Sequence, residues 1–250
     1  MKVSIITVVY NAEKYIKECI ESVLAQNYHD VEYIIIDGAS TDATTAIIKT
    51  YRNKIHHFIS EPDDGMYDAL NKGIKLATGD IVGALNADDT LATQTILTEI
   101  VAFFTETKAD GIYGNLNYVN AKNPEQIVRK WRTQQHVIKD FSMGWMPAHP
   151  TLYLKKELFN KYGNYSLNYG TAGDYELMLR FLYKFKIRAL FFNKLIVNMR
   201  TGGVSNSSLK HRCSAFVNDY NAAKHNAIAI PLIAILLKKL SKITQFFHAN

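Results

Sequence analysis

The chain has 250 residues, 48% hydrophobic and 21% charged, enough to bury a full core as one large domain or as a domain with an appendage; these values exclude a disordered chain. Its net charge of +6 is unevenly placed: residues 1–125 carry 10 Lys and Arg against 18 Asp and Glu, and residues 126–250 carry 19 against 5. A basic second half suits a solvated surface, a phosphate-bearing substrate or an anionic membrane face. Nucleic acid is not expected, because no recognised binding motif accompanies the charge.

The opening MKVSIITVVYN has one Lys and no small-residue cleavage site, so it reads as a first strand and not as a signal peptide. Apolar runs at 3–9, 32–37, 56–60 and 81–86 are β-branched and mostly continuous, as buried parallel strands are. Between them, Ile16, Cys19, Ile20, Val23 and Leu24 recur at helical spacing, as do Ala46, Ile47 and Tyr51, then Met66, Leu70, Ile74 and Ala77. Strand alternating with helix predicts βαβ units and an open sheet.

After residue 110 the pattern changes. GIYGNLNYV (111–119) reads as strand or hairpin, followed by a loop, RKWR and a polar helix. HPTLYLKKELFNKYG (149–163) predicts a strand and short helix, GDYELMLRFLYKF (173–185) an amphipathic helix, and ALFFNKLIVNMR (189–200) a strand. GGVSN (202–206) reads as a turn, and two helices separated near Pro231 finish the chain. No run reaches the roughly 18 apolar residues of a membrane span. Cys19 and Cys213 lie far apart without metal spacing and read as reduced thiols of a cytosolic protein.

The polar clusters all follow strands. Tyr10-Asn11, DGAST (37–41), EPDDG (61–65) and NADD (86–89) gather along the carboxyl edge of the sheet, where open α/β sheets bind ligands. LNADDT (85–90) sets two carboxylates side by side, so bulk water, a basic partner or a bound cation must offset their repulsion. Neither G-x-x-x-x-G-K-[ST] nor G-x-G-x-x-G follows the first strand, which weakens the dinucleotide oxidoreductase and nucleotidyltransferase readings. An acidic cleft that binds phosphate needs a divalent cation, and carboxylate oxygens suit Mg²⁺ and Mn²⁺.

Four segments in order, SIITVVYNAEKYI, EYIIIDGASTDAT, SEPDDGMYDALNKGIKLATGDIVGALNADD and GDYELMLRF, resemble the family 2 glycosyltransferases of the GT-A fold, and most of all bacterial enzymes building O-antigen, capsule or exopolysaccharide. The resemblance covers nearly all of residues 3–100 and thins to islands as far as about residue 206. It implies an α/β fold with a Rossmann-like, mostly parallel open sheet flanked by helices. The implied domain spans 1–206, with a nucleotide-sugar half (1–110) and an acceptor half (111–206), followed by a helical extension at 207–250.

Carried over residue by residue, Thr7, Tyr10, Asn11 and Ser40 would line the nucleotide pocket, with Asp37 accepting from base or ribose. Ser40 and Asp42 fit a helix cap equally well, and capping is the preferred role for Asp42. Asp64 and Gly65 would border nucleotide and sugar, and Lys72 phosphate. NADD stands where the family carries D-x-D, with Asn86 in place of the first acid, so metal binding would rest on Asp88, with Asp89 either assisting or capping a helix from Thr90. TAGDYEL matches the region of the catalytic base, usually Glu-Asp; Gly173 replaces the Glu and Asp174 remains. His149 would contact acceptor or metal, or serve as a structural hydrogen-bonder.

The implied reaction is inverting, Mn²⁺- or Mg²⁺-dependent transfer of one sugar from a nucleotide-diphosphate sugar, a UDP-sugar first, to a saccharide or polyprenyl-diphosphate-linked acceptor. QIVRKW (126–131) precedes the base, unlike the Q-x-x-R-W of processive synthases, so single transfer is expected. The alternatives are a nucleotide-sugar binder without catalysis or, less favoured, a nucleotidyltransferase. The tail AIPLIAILLKKLSKITQFF (229–247) would pack on the body, on a second subunit in a homodimer, or on the inner membrane leaflet as the peripheral contact of a cytoplasmic protein.

Overall fold

In the computed structural model, residues 1–202 and 209–244 are described. The turn expected at GGVSN therefore lies, from residue 203 on, outside the described residues, as does the tail beyond residue 244.

The strands are β1 (Val3–Val9), β2 (Val31–Asp37), β3 (His57–Ser60), β4 (Ile81–Asn86), β5 (Thr90–Leu91), β6 (Gly111–Val119), β7 (Ile127–Trp131), β8 (Tyr153–Lys155) and β9 (Ala189–Arg200). The helices of the first half are α1 (Ile16–Leu24), α2 (Thr44–Thr50), α3 (Met66–Leu76) and α4 (Ile96–Thr107). Those of the second are α5 (Ile138–Ser142), α6 (Lys156–Tyr162), α7 (Gly173–Met178), α8 (Leu209–His225) and α9 (Pro231–Thr244).

Among the described residues all strands join one sheet in the order β3-β2-β1-β4-β8-β6-β9-β5, with β7 on β6. The first four are parallel, and their continuous apolar sequences follow from burial under helices on both faces. β8 then runs antiparallel to β4 and to β6, so the second half of the mostly parallel sheet is mixed. The sheet does not break at residue 110: the β4–β8 and β8–β6 pairings carry it from one half to the other.

Of RKWR, Arg129, Lys130 and Trp131 belong to β7, whose tie to β6 includes an Arg129 guanidinium 3.6 Å above the Tyr118 ring. Two local expectations differ. The helix expected from Thr90 is instead the short strand β5, held by β9, and α4 begins at Ile96, so Asp89 caps no helix there. The amphipathic helix from Gly173 is α-helical only to Met178 and continues as a π-turn over Leu179–Lys184.

α9 packs on the body through Ala234, Ile235 and Lys238, which are buried. Gly144, at φ +78°, lies under it so closely that a Cβ there would run into the Ala234 carbonyl. The Lys238 ammonium bonds Asp219 at 2.9 Å and sits 3.5 Å over the ring of Tyr175, the neighbour of Asp174. No helix among the described residues is long and apolar enough to cross a membrane.

Candidate active site

The loops after β1, β2 and β3 meet through one hydrogen-bonded chain. Asp37 is fully buried at the end of β2; its carboxylate accepts from the Ser60 hydroxyl at 2.6 Å and from the Ser40 hydroxyl and backbone N–H. The Ser40 oxygen in turn accepts from the Asn11 N–H at 2.8 Å, and the Asn11 side-chain oxygen from the Thr41 N–H at 2.9 Å. Asn11 holds φ at +48°, a turn an Asn tolerates, and Tyr10 beside it is 64% exposed. Asp42 accepts from the Thr44 and Glu13 N–H groups, joining the loop before α1 to the start of α2.

Thr7 departs from its expected place. Its hydroxyl is buried between the Tyr33 hydroxyl, at 3.2 Å, and the Cys19 thiol, so its side chain belongs to the core under the cleft. Burial pushes that thiol up to about 12, and it donates to the Asn86 carbonyl at 3.3 Å.

Asp64 and Gly65 are exposed ahead of α3, where Gly65 adopts φ +101°. Lys72 is held back on this loop: its ammonium bonds Glu61 at 2.9 Å, the Pro62 carbonyl at 3.0 Å and, more loosely, Asp68. Its pull is thus directed to the loop's own acids.

At the end of β4 the structure divides the labour of the two adjacent acids. Asp89 is fully buried; one oxygen accepts from the Asn86 amide at 2.8 Å and the other from the Arg200 N–H at 3.2 Å. Asp88 is half-buried, and burial raises its carboxyl above the ordinary range. Asp89 is raised further, by burial and by Asp88. The partner that offsets their repulsion is Arg200, at the end of β9 and 4% exposed. Its guanidinium donates to the Asp88 carbonyl at 2.8 Å, pairs with Glu18 and lies 4.9 Å over the Tyr15 ring. Sequence reasoning missed Arg200 because 111 residues separate it from Asp89.

Among the described residues no group of three or more His, Cys, Asp or Glu could hold a metal. Asp89, expected to assist in metal binding or to cap a helix, is fully buried with a hydrogen bond on each oxygen and organises the loop. Asp88 remains as one partly accessible, charge-deficient carboxylate, which fits an ion that takes one or two protein carboxylates and completes its shell with substrate phosphates.

Asp174 stands in the first turn of α7. Its Oδ1 accepts from the Tyr175 N–H at 2.7 Å and from the Tyr67 hydroxyl at 3.1 Å. Tyr67 opens α3 at the carboxyl edge of β3, so this bond draws Asp174 to the edge that carries Asp88. His149 does not stand alone in a loop: its Nε2 shares a proton with the Tyr165 hydroxyl at 2.7 Å, and the Tyr165 ring stacks on Tyr67 at 5.5 Å. Burial lowers the His149 pKa, against the pull of Asp174, so the ring is neutral at neutral pH. Glu176 of α7, buried, pairs with Arg180, whose guanidinium also ties down the Tyr162, Gly163 and Asn164 carbonyls.

A family model described as glycosyl transferase family 2 matches residues 4–173. The chain is a family 2 glycosyltransferase. This glycosyltransferase is 26% identical over 216 residues to a PGL/p-HBAD biosynthesis glycosyltransferase of Mycobacterium bovis, covering 82% of this chain and 79% of that one. It is 30% identical over 200 residues to an uncharacterized glycosyltransferase of Rickettsia typhi, covering 76% of this chain and 61% of that one. Among solved structures, S. aureus TarS 1–349 in complex with UDP-GlcNAc superposes with a TM-score of 0.72 at 20% identity, over 100% of this chain and 72% of that one. The mannosyltransferase PcManGT of Pyrobaculum calidifontis, in complex with GDP-Man and Mn²⁺, gives a TM-score of 0.70 at 16% identity, over 99% and 73%. These likenesses establish the GT-A fold of the glycosyltransferase.

Proposed function

We propose that this glycosyltransferase moves one sugar from a nucleoside-diphosphate sugar to a hydroxyl of a saccharide or lipid-linked saccharide, with inversion, in the assembly of a bacterial surface polysaccharide. The observation that carries this reading is the Tyr67–Asp174 bond, which holds a carboxylate at the same sheet edge as Asp88. The donor binds along the loops after β1 to β4, where Tyr10, Asn11, Asp64 and Gly65 offer exposed surface, while buried Asp37 and half-buried Ser40 fix the loops' shape. Neighbours of the same fold hold UDP-GlcNAc and GDP-Man, which supports a donor of this class.

Asp88 would hold a Mn²⁺ or Mg²⁺ ion, which when bound supplies neutralising charge to the donor diphosphate. The acceptor hydroxyl attacks the anomeric carbon and gives its proton to Asp174. The bond from that carbon to the diphosphate oxygen breaks with its electron pair, and the nucleoside diphosphate leaves from the opposite face. Residues 1–110 serve the donor and 111–206 the acceptor; in the extension 207–250, α8 and α9 brace α7, and α9 faces an anionic membrane.

A panel of UDP-, GDP- and dTDP-sugars, screened with Mn²⁺ by thermal shift and then by nucleoside diphosphate release, identifies the donor. Asp174→Asn is expected to lose about 10²–10⁴-fold in turnover while still binding it. Asp88→Ala is expected to lose Mn²⁺-dependent donor affinity by titration calorimetry. Unchanged donor affinity in Asp88→Ala removes the metal assignment, and full turnover in Asp174→Asn removes the base.

A further inference from the structure

The resemblance leads to a Glu at position 173, and the chain has Gly there. The space that a side chain would fill is taken by Tyr67: a Cβ on residue 173 would stand 2.8 Å from both Cδ2 and Cε2 of that ring. The Tyr67 ring is 7% exposed and lies 20° from parallel to the ring of Tyr165. Asn71, one turn further along α3, fixes Tyr165 in both directions, donating to its carbonyl and accepting from its N–H, each at 2.9 Å. α3 therefore grips the segment that leads into α7 at two successive turns of its surface.

The Tyr67 hydroxyl is 3.1 Å from Asp174 Oδ1 and 3.1 Å from the Thr171 carbonyl. With the Tyr175 N–H on the same oxygen, Oδ1 has two donors, and among the described residues no donor reaches Oδ2. Burial, with the Asp174 charge beside it, pushes the phenol far above its ordinary range, so it stays a donor at any working pH.

We infer that Tyr67 is the positioning residue of Asp174 and that Gly173 is the complement that admits it. The hydroxyl fixes one carboxylate oxygen and leaves the other to meet the acceptor hydroxyl. The ring occupies the place of a side chain at residue 173. The inference rests on the reading of Asp174 as the base and deepens it: the departure at 173 belongs to a different way of holding the base. A side chain at 173 and a tyrosine at 67 exclude each other sterically.

The test uses the full chain, with UDP-N-acetylglucosamine, UDP-glucose and GDP-mannose as donors, Mn²⁺, and nucleoside diphosphate release as the readout. Tyr67→Phe keeps the ring and its packing; its kcat is expected to fall about 10- to 100-fold with the donor KM unchanged, the signature of a misaimed group. Gly173→Ala is expected to give a similar loss, and the double variant to be no worse than either single one, because both act on one carboxylate. Wild-type kcat in Tyr67→Phe, beside an inactive Asp174→Asn, overturns this inference and leaves the base reading standing. An active Asp174→Asn removes both. Amide exchange over residues 167–175 supplies an arm independent of donor choice: it is expected to quicken in Tyr67→Phe, and an unchanged pattern overturns the inference.

Discussion

Arg200 shows how a single side chain decides the character of a loop. Two carboxylates at 88 and 89 in a half-buried strand end repel, and the guanidinium that enters from β9 supplies the compensating charge. It is itself 4% exposed, so its removal leaves Asp89 buried without a positive neighbour. Arg200→Met is expected to cost about 3 kcal/mol, read as a lower urea midpoint at unchanged m-value. Arg200→Lys is expected to recover only part of this, since a point charge cannot reach both Glu18 and the Asp88 carbonyl as the planar fork does. That Asn86 and Asp88 stand together at a strand end was legible in LNADDT itself. The separate duty of Asp89 was not, because the burial that distinguishes it comes from a strand 111 residues away.

Among the elements, β2 carries the clearest acid-sensitive contact. Glu32, 2% exposed in a strand of apolar neighbours, accepts from Ser4 at 2.6 Å, from the Thr78 N–H and hydroxyl at 2.7 Å each, and from Lys2 at 3.2 Å. Burial opposes its ionisation, but these donors outweigh it and depress the carboxyl to about 2. A carboxyl depressed on folding adds stability above its unfolded value, here 4.5, and that stability is lost as pH falls from 4.5 toward about 2. Urea midpoints measured from pH 5 downward are expected to fall through this window in the wild type. In Glu32→Gln the unfolding free energy is expected to start about 2 kcal/mol lower and the midpoints to vary less with pH. Strand identity was legible here from the run of Ile and Val. What ties β1, β2 and the loop before β4 was not, since nothing in EYIIID says which donors will surround its first acid.

For the whole molecule, α9 packs one face on the body and leaves another open. One face of α9 is buried through Ala234, Ile235 and Lys238, and the other leaves Leu232, Ile233, Leu236 and Leu240 each about half exposed. A helix docked on the body that still presents these apolar side chains beside exposed Lys239 suits the proposed contact with an anionic bilayer. Full-length protein is expected to float with vesicles containing phosphatidylglycerol and to remain behind when Leu236 and Leu240 are both replaced by Glu. Flotation of both proteins alike, or of neither, removes the membrane reading, and a concentration-dependent mass in the wild type alone points to a second copy on this face.

The alternating strands and helices of the first hundred residues, the edge where their polar loops meet, and the motifs that mark Asp88 and Asp174 were readable from the chain alone. Such signals are local: periodicity records burial, and turn residues follow strands within a few positions. The mixed second half of the sheet, the burial of Thr7 and Asp37, the answer of Arg200 to Asp89, and the lodging of Tyr67 against Gly173 were decided by tertiary structure. Each depends on which distant side chain fills or neutralises a given space, and that is fixed only when the strands have found their neighbours.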